Sequence, residues 1–170
     1  MAKYTDRILR AAKLDKSLYE EVEKDQEAMG QALGVVLLSS IAAGIASIGK
    51  GGLGGIVIGT LLALISWYIW IMIIYFVGTR LLPEPGTKAD FRDLFRTIGF
   101  ASAPGILMVI GIIPFFTLPI LLAASLWMLA CMVVAVRLSL NYTNILRAIG
   151  VCAIGWIVYL VIFRIFFSML

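Results

Sequence analysis

Residues 53–78, LGGIVIGTLLALISWYIWIMIIYFVG, run for 26 positions without one formally charged side chain. Wound as an α-helix at about 1.5 Å per residue, such a run more than covers a hydrocarbon layer of about 30 Å. It has none of the period-2 alternation of a barrel strand. A backbone in hydrocarbon must also satisfy its own hydrogen bonds, so the run reads as a membrane-spanning helix.

Four further apolar runs extend the pattern on either side. Gly30 to Ile48 precedes it, ended by Gly49-Lys50-Gly51-Gly52. After a polar stretch with Pro83 and Pro85 come Thr97 to Ile113, Leu118 to Val136 and Arg147 to Ser168, with Pro114 and Pro119 bracketing a very short turn. The expected fold is an all-α membrane protein with five transmembrane helices (30–48, 53–78, 97–113, 118–136, 147–168). These form one domain, 30–170, behind a polar tail, 1–29. The third span is the shortest.

The charges support this division. Apolar residues make up 62% of the 170, against roughly 45–50% in an ordinary globular domain. Of 24 charged residues, thirteen lie in 1–29 and seven between Arg80 and Arg96, leaving Lys50, Arg137, Arg147 and Arg164. A soluble surface needs charge spread over all of it. With no histidine and only Cys131 and Cys152, Ser/His and Cys/His catalysis, histidine-ligated metal or haem, and disulfide frameworks are excluded. The net charge of +4 is interleaved with acids and gives no reason to expect nucleic-acid binding. No cofactor is expected, and the first 29 residues lack the apolar core of a cleaved signal.

Lysine and arginine give the sidedness. With five spans, the tail, the second loop and the fourth loop share a side and carry twelve basic residues, against Lys50 and Arg164 opposite. The positive-inside rule then places the N-terminus in the cytoplasm and the C-terminus outside.

Two cytoplasmic segments look structured. In the tail, Ile8, Leu9 and Ala12 share one face of a short helix, and Ser17 and Glu20 have capping-box spacing for a second helix carrying Leu18, Tyr19 and Val22. These amphipathic helices either dock a partner, lie on lipid headgroups or pack beneath the bundle. Thr87 and Asp90 have the same spacing before Phe91, Leu94, Phe95 and Ile98, an i, i+3, i+4, i+7 stripe, with Arg92 and Arg96 on the other face. This amphipathic helix enters the third span. It offers a face to a partner or to the membrane surface, or it seats against its own bundle. Asp90 and Asp93 beside Arg92 and Arg96 read as ion pairing rather than a metal site.

The segment Phe91-Arg92-Asp93-Leu94-Phe95-Arg96-Thr97-Ile98-Gly99-Phe100-Ala101-Ser102-Ala103-Pro104 resembles the signature of the Yip1 family, five-span membrane proteins. Leu14-Asp15-Lys16-Ser17-Leu18-Tyr19-Glu20-Glu21-Val22 is similar to the N-terminal segment of its prokaryotic members. The resemblance covers about residues 10–165. It implies the five-span topology and a prokaryotic cell membrane. Eukaryotic relatives bind prenylated small GTPases, but their Asp-Leu-Tyr-Gly-Pro motif is absent here, so that role does not carry over. Prokaryotic members share no defined activity.

Inside the spans there is no acidic residue, which counts against proton relays and ion-coupled transport. Gly51, Gly55, Gly59 and Ala63 form a helix-packing stripe on the second span. Ser39, Ala43 and Ser47 form a similar one on the first, so these two helices are expected to meet closely. Pro104-Gly105 should kink the third helix. Trp67, Trp70, Trp127 and Trp156 fall near mid-span, away from the interfacial belts where tryptophan concentrates. Each indole N–H there needs a partner or a cavity. The four either pack inside the bundle or line a midplane pocket for a lipid or isoprenoid. Cys131 and Cys152 lie at similar depth as small packing residues, and Arg164 can snorkel outward.

Three functional readings result. The first is a non-catalytic scaffold or adaptor, embedded in the lipid bilayer and recruiting a protein partner through its cytoplasmic face. The second is an accessory or assembly subunit of a larger membrane complex. The third is a channel or carrier for a small or lipidic solute.

Overall fold

The computed structural model describes residues 4–46, 48–87, 90–113 and 115–168, and among these it is helical, with no strand. Two short helices, α1 (Tyr4–Ala12) and α2 (Lys16–Lys24), precede the apolar ones. These are α3 (Ala28–Ala46), α4 (Ile48–Phe76), α5 (Phe91–Ala101) continued by a 3₁₀ helix (Ala103–Ile112), α6 (Thr117–Ser139) and α7 (Ile145–Ser168). Five segments are long and apolar enough to cross a membrane: Ala28–Ala46, Gly54–Leu81, Phe91–Ile112, Thr117–Ser139 and Ile145–Ile162. The all-α, five-span fold is therefore the one expected. Ser47, Lys88 and Pro114 lie outside the described residues.

Local chemistry corrects several boundaries. Asp15, not Ser17, caps α2: its carboxylate accepts from the Ser17 backbone N–H at 3.0 Å. Asp90 caps α5 in the same way, accepting from the Arg92 N–H at 2.8 Å, while Thr87 closes the preceding turn by accepting from the Glu84 N–H. In both places the residue immediately before the helix is an aspartate, and its carboxylate rather than the nearby hydroxyl makes the cap, as an anion at a helix N-terminus should. Leu9 faces away from the fold at 59% exposed, and fully buried Ala11 takes the inward position.

The third span is not simply kinked. Pro104 has no N–H to donate to the preceding turn, and Gly105 N–H bonds the Ser102 carbonyl at 2.9 Å, an i→i+3 contact that begins ten residues of 3₁₀ helix. Rising about 2.0 Å per residue rather than 1.5, that winding carries the 16 residues from Thr97 to Ile112 across roughly 27 Å, nearly a hydrocarbon thickness. The shortest apolar run spans because its narrower 3₁₀ winding rises further per residue.

The C-terminal ends of α1 and α6 use left-handed closures. Leu14 (φ 62°) follows α1, with Asp15 N–H returning to the Arg10 carbonyl at 3.1 Å; Asn141 (φ 57°) follows α6, with Tyr142 N–H returning to Arg137 at 2.8 Å. Asparagine tolerates this conformation, whereas leucine pays for it sterically.

Packing organises the bundle around a gap. The α3 helix lies against α4, α5 and the 3₁₀ helix; α6 lies against α5, the 3₁₀ helix and α7; α7 also touches α4. Among the described residues no extensive interface joins α4 to α6. The buried residues of α6 and α7 cluster next to their connecting loop: Cys131, Ala135, Val136 and Ser139 on one, Ala148, Val151 and Cys152 on the other. Beyond that zone Trp156, Ile157 and Val161 are about half exposed or more.

Candidate functional site

The charged end of the bundle is built by three arginines. Arg7, only 7% exposed, sends Nε and Nη2 to Glu21 (3.0 and 2.6 Å), Nη2 to Asp25 (2.9 Å) and Nη1 to the Gln31 side chain (2.8 Å). Arg10 bonds Asp15 at 2.7 Å, Glu21 at 3.0 Å and Ser17 at 3.0 Å. One guanidinium thus ties α1 to α2 and to the first turn of α3. Arg96 on α5 is 4% exposed; it pairs with Asp93 at 2.5 Å, donates to the Val22 carbonyl at 3.0 Å and also donates to the Glu23 carbonyl. Those acceptors are the free carbonyls at the C-terminal end of α2.

The titrations follow from these contacts. Hydrogen bonds from Arg10 and Ser17 hold Asp15 down at about 2. Burial alone would raise Glu21, but hydrogen bonds and charge from Arg7 and Arg10 outweigh it, and its pKa falls. Hydrogen bonding to Arg7 lowers Asp25. Glu23 moves the other way, raised by burial and by the charge of Asp93. Burial also raises Tyr19, whose hydroxyl donates to the Ala11 carbonyl at 3.0 Å.

This geometry places the amphipathic stripe of α5. Leu94 and Ile98 are fully buried, Phe95 meets Trp67 edge-on at 4.8 Å, and Phe91 meets Tyr75 edge-on at 5.6 Å. Arg96 is turned inward and Arg92 outward. The stripe packs against its own bundle.

For the small residues, α3 meets α4 closely at Gly44. A Cβ there would sit 2.5 Å from Thr60 Oγ1 and 2.7 Å from the Ile56 carbonyl oxygen. Gly55 and Gly59 are half-buried on α4, and Gly51 lies beside the break in helical geometry at Gly52 (φ 57°). Ala63 faces a cavity instead.

That cavity, about 590 Å³, takes residues from all five spans. Trp67, Trp70 and Trp156 line it; Trp127 does not, because its Nε1 donates to the Ala12 carbonyl of α1 at 2.7 Å. Trp67 Nε1 donates to Ser102 Oγ at 3.1 Å. Trp70 is 8% exposed, and its Nε1 is buried with no hydrogen-bond acceptor among the described residues. The 3₁₀ winding shapes one wall. At three residues per turn, Ser102, Gly105, Met108 and Gly111 stack in a straight column, and the first three face the cavity. Gly105 is required there, since a Cβ would lie 2.9 Å from both Met128 Sδ and Ser39 Cβ. Leu122, Leu126 and Trp156 are 56%, 68% and 57% exposed, so the cavity opens sideways where α6 and α7 part.

Serines complete the lining: Ser39, Ser40, Ser66, Ser102 and Ser125. Only Ser39 stood out in the sequence, as a packing residue. The available signal was a hydroxyl in nearly every span. Nothing local marks which hydroxyls converge.

No curated protein and no solved structure matches the chain. The family model described as the Yip1 domain matches residues 17–166, which takes in α2, all five spans and most of α7. The chain is an integral membrane protein belonging to the Yip1 family.

Proposed function

We propose that the protein is a non-catalytic membrane scaffold that recruits a protein partner through the α1–α2 end, with that end in the cytoplasm of a prokaryotic cell. The supporting observation is the arginine network. Arg7 and Arg10 are consumed in holding α1 and α2 against the bundle, which leaves a preformed outer surface of Leu9, Lys13, Lys16 and Glu20. A surface ordered in advance loses less entropy on binding. The α5 stripe of Phe91, Leu94, Phe95 and Ile98 acts from within, as the seat of this platform, and Arg92 remains outward beside it.

The test places photo-crosslinking residues at Leu9 and Arg92 in native membranes. A stoichiometric soluble partner, lost on Leu9→Glu with Lys13→Glu, supports the scaffold. Cross-links to a fixed set of membrane subunits would favour the accessory-subunit reading instead, and cross-links to lipid alone would overturn recruitment.

A further inference from the structure

The cavity is a separate matter from recruitment, because its walls lie within the spans. Its volume, about 590 Å³, falls in the range of roughly 300–1,000 Å³ typical of small-molecule sites. We propose that it binds one uncharged lipid through a carbonyl oxygen, with the indole N–H of Trp70 as donor.

Three observations define the ligand. First, Trp70 Nε1–H is buried, on a residue that lines the cavity, and has no acceptor among the described residues. An N–H in that position costs more than about 1 kcal/mol unless an oxygen meets it. The ligand must therefore bring an acceptor. Second, among the described residues no Asp, Glu, Lys or Arg lines the cavity. A phosphate, carboxylate or ammonium group would enter uncompensated, so the head of the ligand is neutral. Third, apart from the hydroxyls of the serines and Tyr159, the walls are apolar and aromatic, with Met108, Met128 and Met132 beside Trp67 and Trp156. Thioethers and indole faces accept an alkyl chain or a flat ring alike.

Access is consistent with a lipid. The sideways opening is bounded by Leu122 and Leu126 on α6 and Trp156 on α7, all more than half exposed. The exposed Ser125 stands in the same opening. A molecule dissolved in the bilayer can enter there without crossing water.

A neutral carbonyl on an apolar body is the chemistry of an isoprenoid quinone and equally of a diacylglycerol. Native mass spectrometry of the full-length protein distinguishes them by titration with a two-isoprene ubiquinone, with dioctanoylglycerol and with phosphatidylglycerol as a charged control. The expected result is saturable one-to-one binding of at least one neutral probe. Trp70→Phe keeps the ring and removes the N–H, and should weaken that binding about five- to tenfold, the value of one neutral hydrogen bond. Ser125→Phe, at an exposed position that does not endanger folding, should block entry. Binding of the quinone alone assigns an isoprenoid quinone; binding of the glyceride alone assigns an acylglycerol. Failure of both neutral probes overturns the proposal. So does equal binding of phosphatidylglycerol, or unchanged affinity in both variants.

Discussion

The indole of Trp127, midway along α6, donates its hydrogen bond at 2.7 Å to the carbonyl of Ala12, 115 residues earlier at the C-terminal end of α1. A polar N–H in an apolar span thus finds an acceptor among the unpaired carbonyls that end every helix. The bond fastens the N-terminal helix to the bundle. Cys131, one turn further on, makes a weaker contact with the neighbouring Ala11 carbonyl at 3.5 Å.

Trp127→Phe should therefore loosen α1 selectively. The loss of about 1 kcal/mol should appear in hydrogen exchange as faster labelling of residues 4–15, with the spans unchanged. Equal labelling in the two proteins would show that the bond contributes nothing.

Arg7→Ala should cost more, about 2 kcal/mol. It leaves Glu21, Asp25 and Gln31 without their shared donor, although the carboxylates keep some solvent, at 36% and 30% side-chain exposure. Arg7→Lys should rescue little, because one ammonium cannot reproduce the guanidinium fork. Thermal melts in detergent, compared with Trp127→Phe, give the ranking.

Acid should release the platform before it disturbs the spans. Asp15, Glu21 and Asp25 all have folded pKa values below their ordinary ones, with Asp15 at about 2. Depressed carboxylates stabilise the fold above the unfolded value near 4 and lose that contribution as pH falls through the folded value. The expected window is about pH 4 to 2. Glu23, raised by burial and Asp93, is relieved by protonation and opposes the trend in part. Proteolysis at Lys13 and Lys16 after brief acid pulses would follow it. Protection that stays constant down to pH 2 would contradict the ion-pair account.

Close packing of α3 on α4 makes Gly44→Leu destabilising by about 1–3 kcal/mol, since backbone at Ile56 cannot yield as a side chain can. Gly54→Ala is the control: nothing lies within 4 Å of its added Cβ, so it should be neutral or slightly stabilising. Comparing the two melting temperatures checks the interface.

Leu14→Gly should raise stability by up to about 1 kcal/mol, because leucine at φ 62° carries a steric penalty that glycine lacks. Asn141→Gly, at a residue already tolerant of that conformation, should change little.

The spans were legible because a bilayer leaves an apolar run one option. The 26 uncharged residues ending at Gly78 could only be a helix. The caps were misread by two or three residues, since Asp15 and Ser17, or Thr87 and Asp90, differ in which oxygen wins rather than in pattern. The pairing of Arg96 with Asp93 was legible from their spacing, but the burial of Arg7 and Arg96 was not, because it depends on acceptors from other elements: Gln31 is 24 residues from Arg7, and Val22 is 74 from Arg96. The tryptophans were noticed as misplaced. Sorting Trp127 from the other three required knowing that α1 folds back beneath α6. Ten residues of 3₁₀ helix have no sequence signature beyond the proline that starts them.

That winding has a mechanical meaning. Ten residues at 2.0 Å rather than 1.5 Å per residue hold about 5 Å of extra axial length. The α-helical spans can meet a thinner or thicker bilayer only by tilting or by deforming the lipid. The third gains its reach from the winding itself, and it continues from α5, where Arg96 bonds the Val22 and Glu23 carbonyls near the end of α2. One segment's winding thereby sets how far the far end of the third span stands from the Arg96 contact with α2.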